Sequence, residues 1–534
     1  MSRAAQLKDF VGFLRDIPDF IRNPISIDRA TAAVTERLAN RDAAFVRFVN
    51  TTLLMAPQSP YPRLFELAGC APGDLAAMVR DRGVEQTLMA LRAAGVYVSF
   101  EEFKGRKTLV RGGGEIPISP SAFANPSLTR AFASTTSGSS GVPRMAHTTL
   151  DHLATQSEHR IIALAAHGLI DAPSAIWRPI LPAASGLNNV LRLARFGRPP
   201  LKWFAPVAND STRPPLAYRL ATAAALAMGR WAGARLPFPE AVPFSEAIRI
   251  ARWMARQRDA CGRVWLNTTV SGGVRVAGAA QEHGIDLSGA VFMVAGEPAT
   301  AAKVQRIRAS GADYFTDYGM TEIGRIAIGC ARPAREGDLH LLTDVVALIP
   351  CTRLVGKSDR PVSSLHVTSF SPQSPTLLLN VEFDDEGILD VEPCGCPLET
   401  LGLRTHLRDV RSYGRLTSEG VTVTGAELIR IIEEVLPARC GGSPLDYQFA
   451  EEEDASGFTR LTLIASPHVT VSDEALRDEV LMALSRAGGA TALARGFWQQ
   501  AGTLRVRRSA PFVSERGKQP SFRNALPGRV GTHS

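Results

Sequence analysis

Between Val291 and Gly324 the chain twice runs from a strand-like apolar stretch into a sharp turn. Val291-Phe292-Met293-Val294-Ala295 leads into Gly296-Glu297-Pro298 and then an alanine-rich segment that predicts a helix. Tyr314-Phe315 leads into Asp317-Tyr318-Gly319-Met320-Thr321-Glu322-Ile323-Gly324. A short continuous apolar run bounded by turn signals reads as a strand buried on both faces. Open α/β sheets present ligand-binding loops at the ends of such strands. The two junctions therefore predict an α/β fold with a ligand site where they end. At the second junction Tyr318 offers a flat face to a base, Thr321 a hydroxyl to phosphate and Glu322 a hard oxygen to Mg²⁺.

A third stretch, Phe132 to Arg144, packs hydroxyls and glycines into a short loop closed by Pro143 and the Arg144 cation. Glycines let backbone N–H groups converge on an anion, and hydroxyls add donors suited to phosphate oxygens. No Gly-Lys-Ser/Thr follows the glycines, which excludes a Walker loop. Taken alone, a Ser/Thr/Gly run reads as an ordinary surface loop. Its meaning comes from standing upstream of the two strand-to-turn junctions.

Together the three stretches resemble, in order, the motifs of the adenylate-forming superfamily of acyl-CoA ligases, adenylation domains and luciferases. Thr136-Ser137-Gly138-Ser139-Ser140-Gly141-Val142-Pro143 resembles its phosphate loop, with Arg144 where lysine is usual. The exchange keeps the charge and changes its geometry. Gly296-Glu297-Pro298 resembles the turn beside the adenine, and Asp317 to Glu322 the signature near the α-phosphate. The resemblance implies that Thr321 contacts phosphate and that Glu322 holds magnesium. Asn380 to Gly387 resembles the ribose-binding segment of phenylacetate-CoA ligases, which implies that Asp385 meets the ribose hydroxyls; Asn380 stands where that branch has arginine. Arg411-Ser412-Tyr413-Gly414-Arg415 resembles the hinge before a small C-terminal domain, with Arg415 on the ribose. Ser514 to Pro520 contains Gly517-Lys518, resembling the catalytic lysine that neutralises developing charge during adenylation and then leaves with a moving lid.

Cys330, His340 after nine intervening residues, Cys394 and Cys396 form a candidate metal set. Three thiols and an imidazole make a closed tetrahedral zinc site with no open position for water. Some members of the phenylacetate-CoA-ligase-like branch carry a structural zinc; unmetallated thiols are the other reading.

Length and composition agree with a multi-domain enzyme. The 534 residues exceed one ordinary core. Hydrophobic residues make up 45% and charged residues 21%, which excludes a disordered or fibrous chain. The net charge of +8 comes from scattered arginines, suiting anionic small molecules and not a nucleic-acid surface. Seven cysteines, unevenly placed and without a secretory leader, argue for a reducing cytoplasm. The most apolar stretch, Leu220 to Gly229, is too short to span a bilayer.

Spacing predicts a mainly helical segment over 1–125, with stripes such as Leu7, Phe10, Val11 and Leu14. A further helix is predicted from Leu150 to Leu169. The turns at Ser185-Gly186 and Ser271-Gly272 are candidate linings of an acid pocket. After Gly425, a stripe of Leu428, Ile431, Ile432, Val435 and Leu436 predicts a core-facing helix, Leu461 to Ile464 a strand, and Asp473 to Ser485 a helix.

The expectation is an α/β fold with a large domain over 1–413 and a small α+β lid over 414–534. The resemblance implies formation of an acyl-adenylate from a carboxylic acid and Mg·ATP, followed by transfer to CoA. Amines, carrier-protein thiols and a non-carboxylate oxyanion such as nitrite stay open as partners in the reaction. A non-catalytic nucleotide-binding protein on the same fold is the reading from another class.

Overall fold

The computed structural model describes residues 3–105, 107–119, 121–128, 131–135, 145–206, 214–355, 360–412, 415–418, 421–442, 444–486, 490–512 and 521–524. Its centre is a twelve-stranded mixed sheet. Six strands run parallel, in the order Pro239–Ala241, Lys202–Ala205, Ser174–Trp177, Val264–Thr268, Ala290–Ala295 and Asp313–Met320. From Asp313–Met320 the sheet continues antiparallel through Gly324–Gly329, Leu339–Leu341, His406–Ser412, Leu378–Asp390, Arg360–Ser369 and Val346–Val355. The two predicted strands thus lie side by side at the centre, and Asp313–Met320 joins the parallel half to the antiparallel half.

The parallel strands are apolar because helices cover them. Val264–Thr268 is buried along its whole length, and the helices Ala247–Cys261 and Val270–Glu282 share one core with it. The chain leaves Ser174–Trp177 outward to two strands, then returns on its other side at Val264–Thr268. That reversal is a topological switch point, and open α/β sheets bind ligands outside the carboxyl ends of their strands at such points.

The N-terminal segment is helical as its stripes predict, with Arg3–Arg22, Ile27–Ala39, Arg41–Phe48, Tyr61–Leu67 and Pro72–Ala93 as its main helices. The Asp74 carboxylate caps the last of these by accepting from the Ala71 N–H at 2.8 Å. Phe13, Ile17, Phe45 and Phe48 join a core that takes in both halves of the sheet, with Trp203 and Trp265 from the parallel half and Leu365 and Leu378 from the antiparallel half. No described helix is long and apolar enough to cross a membrane.

A second, smaller α+β unit has its own sheet, in the order Leu504–Arg508, Thr459–Ala465, Tyr447–Glu453 and Phe522–Asn524. Its core holds Leu428, Ile431, Ile432 and Leu436, the stripe predicted from spacing, together with Tyr447, Phe449 and Trp498. The predicted strand and helix appear as Thr459–Ala465 and Asp473–Arg486.

Candidate functional site

The candidate site is built from the carboxyl ends of four neighbouring parallel strands. Arg178 follows Ser174–Trp177 directly and reaches across the strand reversal, donating from Nε to Asn267 Oδ1 at 3.0 Å and from Nη2 to the Thr268 carbonyl. Past Ala290–Ala295 comes the Gly296-Glu297-Pro298 turn, where Gly296 has φ +90°, a conformation that favours glycine. The nearest atom to a Cβ built there is Arg178 Nη1 at 4.0 Å. The Glu297 side chain is fully buried; Ser271 donates to it from Oγ and from its backbone N–H, and Lys303 Nζ lies 3.8 Å away. Ser271 and Glu297, expected on separate parts of a site, are therefore partners of each other.

Along Asp313–Met320 the side chains divide between two networks. Asp317 is buried beneath Arg160 at 2.8 Å and Arg325 at 3.0 Å. Burial opposes ionisation of Asp317, but the two guanidiniums outweigh it and hold the carboxyl below its usual range. Tyr318 donates from its hydroxyl to Asp385 Oδ2 at 2.8 Å, and Ser412 Oγ donates to Asp385 Oδ1. The base-facing and ribose-facing candidates, far apart in sequence, thus share a hydrogen bond. Asp385 is buried in Leu378–Asp390. Asn380 on the same strand instead donates to the carbonyls of Leu88 and Val96, tying the N-terminal helices to the sheet.

Gly319 and Met320 end the strand, and Thr321 to Ile323 form the hairpin turn to Gly324–Gly329. A Cβ on Gly319 would meet the Gly324 carbonyl at 2.6 Å, so glycine is needed for the close strand approach. Thr321 is exposed. Glu322 forms an ion pair with Lys104 at 3.1 Å, from the helix–turn that follows Phe100–Phe103. A single carboxylate shared with an ammonium fits magnesium only as one ligand among phosphate oxygens and water, the usual way this ion is held.

Thr136, Ser137, Gly138, Ser139, Ser140, Gly141, Arg144 and Lys518 lie outside the described residues. The strands on either side of the hydroxyl loop form an antiparallel pair, Phe132–Thr135 with Met145–Thr148, closed at Thr135 opposite Met145. The chain then enters the helix Leu150–Ala166, capped by Thr149. Arg415 begins the strand Arg415–Ser418. Ser185 opens the helix Ser185–Arg195. Gly186 behind it is a packing glycine, since a Cβ there would overlap the Trp203 ring and the Pro179 carbonyl. Gly272 is confined in the same way by the Thr268 hydroxyl.

The structure also brings forward residues that sequence reading passed over. His152, Gln156, His159 and Arg160 are all buried on Leu150–Ala166, at the i, i+4, i+7, i+8 spacing of one helical face. Gln156 and His152 share a contact at 2.5 Å, and Arg192 donates to Gln156. A polar stripe on an otherwise apolar helix was the available signal. Lys104 carried none, because nothing local links it to Glu322.

The thiol and imidazole candidates meet. The ligand atoms of Cys330, His340, Cys394 and Cys396 all lie within 4.8 Å of one another. His340 Nε2 stands 3.1 Å from Cys396 Sγ and 3.6 Å from Cys394 Sγ. His340 Nδ1 donates to the Leu403 carbonyl at 2.6 Å, which fixes the tautomer and leaves the Nε2 lone pair toward the thiols. Hydrogen bonding from Cys330 and His340 favours the Cys396 thiolate, while Cys330 is pushed up. Donor type, number and spacing fit a closed tetrahedral zinc site.

No family model matches the chain, and no curated protein matches it. Among solved structures it is similar to an acyl-CoA synthetase (AMP-forming)/AMP-acid ligase II-like protein from Dyadobacter fermentans, at 14% identity over 73% of this chain and 87% of that one, with a TM-score of 0.28. It is similar to E. coli MenE bound to an analogue of OSB-AMS, at 14% identity over 80% and 70% with a TM-score of 0.31. Holo-PA1221, an NRPS protein containing adenylation and PCP domains, matches at 14% identity over 76% and 61% with a TM-score of 0.39. Likenesses this distant carry no argument about chemistry, for which this chain's own residues are the ground.

Proposed function

We propose that this chain is an adenylate-forming enzyme, activating a carboxylic acid with Mg·ATP as an acyl-adenylate and passing the acyl group to a nucleophile, CoA in the first instance. The observation that carries the reading is the Tyr318–Asp385 hydrogen bond at 2.8 Å. It joins two segments that sequence reading assigned separately to the base and the ribose of one nucleotide. Tyr318 lies on Asp313–Met320, the strand that joins the parallel half of the sheet to the antiparallel half, and Asp385 on Leu378–Asp390.

In this reading a carboxylate oxygen of the acid bonds to the α-phosphorus, and the bond from that phosphorus to pyrophosphate breaks. Tyr318 and the Gly296 to Pro298 backbone hold the base, while Asp385, oriented by Tyr318 and Ser412, accepts from the ribose hydroxyls. Thr321 donates to the α-phosphate, and residues 136–141 with Arg144 hold the β- and γ-phosphates. Magnesium, when bound beside Glu322, offsets phosphate charge. Lys104 keeps Glu322 in place until then. Lys518 neutralises charge as it develops, and the unit beyond Arg415 acts as the lid that brings it in and removes it. The Cys330, His340, Cys394 and Cys396 set is read as structural zinc and supports the phenylacetate-CoA-ligase-like branch. A reducing cytoplasm, expected from the number and uneven placing of the cysteines, is the proposed compartment.

Pyrophosphate release from Mg·ATP across aryl, fatty and amino acids, with and without CoA, tests the reading. Acid-dependent release supports adenylation, and its continuation into a thioester supports CoA as acceptor. Release without a thioester points to an amine or carrier-protein thiol, and release only with nitrite and an arylamine points to the other oxyanion. Lys518→Ala should cut release by orders of magnitude while sparing ATP binding; wild-type rates in that variant would sink the assignment.

A further inference from the structure

Four guanidiniums lie near enough to act on one another's charge: Arg160, Arg178, Arg192 and Arg325, each with a buried or nearly buried side chain. Asp317 pairs with Arg160 and Arg325. Glu297 is engaged by Ser271 and Lys303. Among the described residues, neither Arg178 nor Arg192 has a carboxylate partner. Arg178 donates to the Asn267 amide oxygen and the Thr268 carbonyl, and Arg192 to the Asn188 carbonyl and the Gln156 amide oxygen. These neutral acceptors satisfy N–H groups, and the carboxylates that act on the two charges, Asp317 on both and Glu297 on Arg178, are outnumbered by the four guanidiniums. Arg178 spends Nε and Nη2 on them, and Arg192 spends Nε and Nη1, so each keeps one Nη for another acceptor.

The cost of this arrangement is visible in the ionisation of the group. Burial, with repulsion among the guanidiniums, lowers Arg160 to about 9, and burial lowers Arg178 to about 10. Burial and the neighbouring Arg325 and Arg160 bring Arg192 well down. An uncompensated buried charge destabilises a fold, whereas an anion arriving on two prepared guanidinium forks is bound tightly and with defined orientation. The place is informative as well. Arg178 stands at the strand reversal, and its Nη1 is the nearest atom to a Cβ built on Gly296 of the turn. Arg192 is joined through Gln156 to the backbone contact with Arg325.

We infer that Arg178 and Arg192 form a subsite for a second anionic group on the acid, so that the substrate is a dianion carrying a carboxylate or sulfonate besides the carboxylate that is activated. The inference rests on the acid-activation reading above and adds the substrate class. Specificity comes from the same physics: an acid lacking the second group would leave two buried cations unpaired, and is discriminated against by more than a missing apolar contact would allow.

The test compares matched acids on the wild-type protein: isophthalate and 3-sulfobenzoate against benzoate, and adipate against pentanoate, each followed by pyrophosphate release. The dianions should be favoured by about a hundredfold in kcat/KM. Arg178→Met and Arg192→Met should each remove most of that preference while leaving KM for ATP within about threefold. Equal or better use of the monoacids overturns the inference. So does a variant that raises KM for ATP with the preference intact, since the guanidiniums would then serve nucleotide phosphates. Release with none of these acids would count against adenylation, and calorimetry without ATP then tests the subsite by itself. Binding of isophthalate and not benzoate to the wild-type protein sustains it; equal binding, or none, overturns it.

Discussion

The Tyr318 hydroxyl has a charged, buried acceptor, and hydrogen bonds to charged groups are the ones whose loss is felt. Tyr318→Phe should therefore raise KM for ATP about tenfold with little change in folding, and Asp385→Asn should do so more strongly. ATP–pyrophosphate exchange at varied ATP checks both; unchanged KM in both variants would remove them from the nucleotide site. Gly324 is held at φ +83°, and a Cβ there would overlap the Gln156 side-chain amide. Gly324→Ala should cost about 1–3 kcal/mol in denaturant unfolding. Gly73→Ala, with nothing within 4 Å of the added carbon, should change stability by less than about 0.5 kcal/mol. At this scale the sequence named Tyr318 and Asp385 but not their contact, since their 67-residue separation hides it. It passed over Arg178 and Arg192 because a lone arginine reads as surface until its burial is known.

The thiol cluster shows how elements assemble a site that no single one holds. Cys330 follows the strand Gly324–Gly329, His340 lies on Leu339–Leu341, and Cys394 and Cys396 precede the helix Pro397–Leu401. The Glu399 carboxylate braces the last two by accepting from the Cys394 and Gly395 N–H groups at 2.9 and 2.6 Å. Protein prepared without chelator should carry one zinc per chain, and Cys396→Ser or His340→Ala should lose it and melt several degrees lower. Metal analysis with thermal melting decides; a metal-free wild-type protein of undiminished stability would leave only the reading as free thiols. Periodicity made the N-terminal helices, the central strands and the stripe at Leu428 to Leu436 legible. It did not show that the chain turns through a π-helical segment at Ile431–Val435, because spacing of apolar residues constrains a helix's face more than its exact winding.

Across the whole molecule, the small unit rests on the helices of the parallel half. Lys303 Nζ, fully buried, donates to Thr459 Oγ1 at 2.9 Å, Thr300 Oγ1 donates to Glu453, and Arg275 lies over the Phe458 ring at 4.6 Å. Burial here raises Glu451 to about 7, with Lys303 pulling the other way. A carboxyl raised in the folded state stabilises it most below its unfolded value of 4.5, and that contribution is lost as pH rises through about 7. His152 acts in the opposite sense. Burial lowers it to about 3, so its contribution is present above 6.5 and is lost as pH falls. Glu451→Gln should flatten the decline in stability from about pH 5 to about pH 8, read by denaturant melts at each pH; an unchanged slope would assign that decline to another group. The same molecule separates what its sequence determined from what folding decided. The α/β class, the strand-to-turn junctions, the helical N-terminus and the four metal-type donors were legible, because backbone preference and hydrophobic period act over a few residues. Which side chains become partners was decided only by the tertiary structure. The Tyr318–Asp385 bond, the Glu322–Lys104 pair and the buried arginines each join segments distant along the chain, and a side chain's charge, burial and ligand are set by what folding brings beside it.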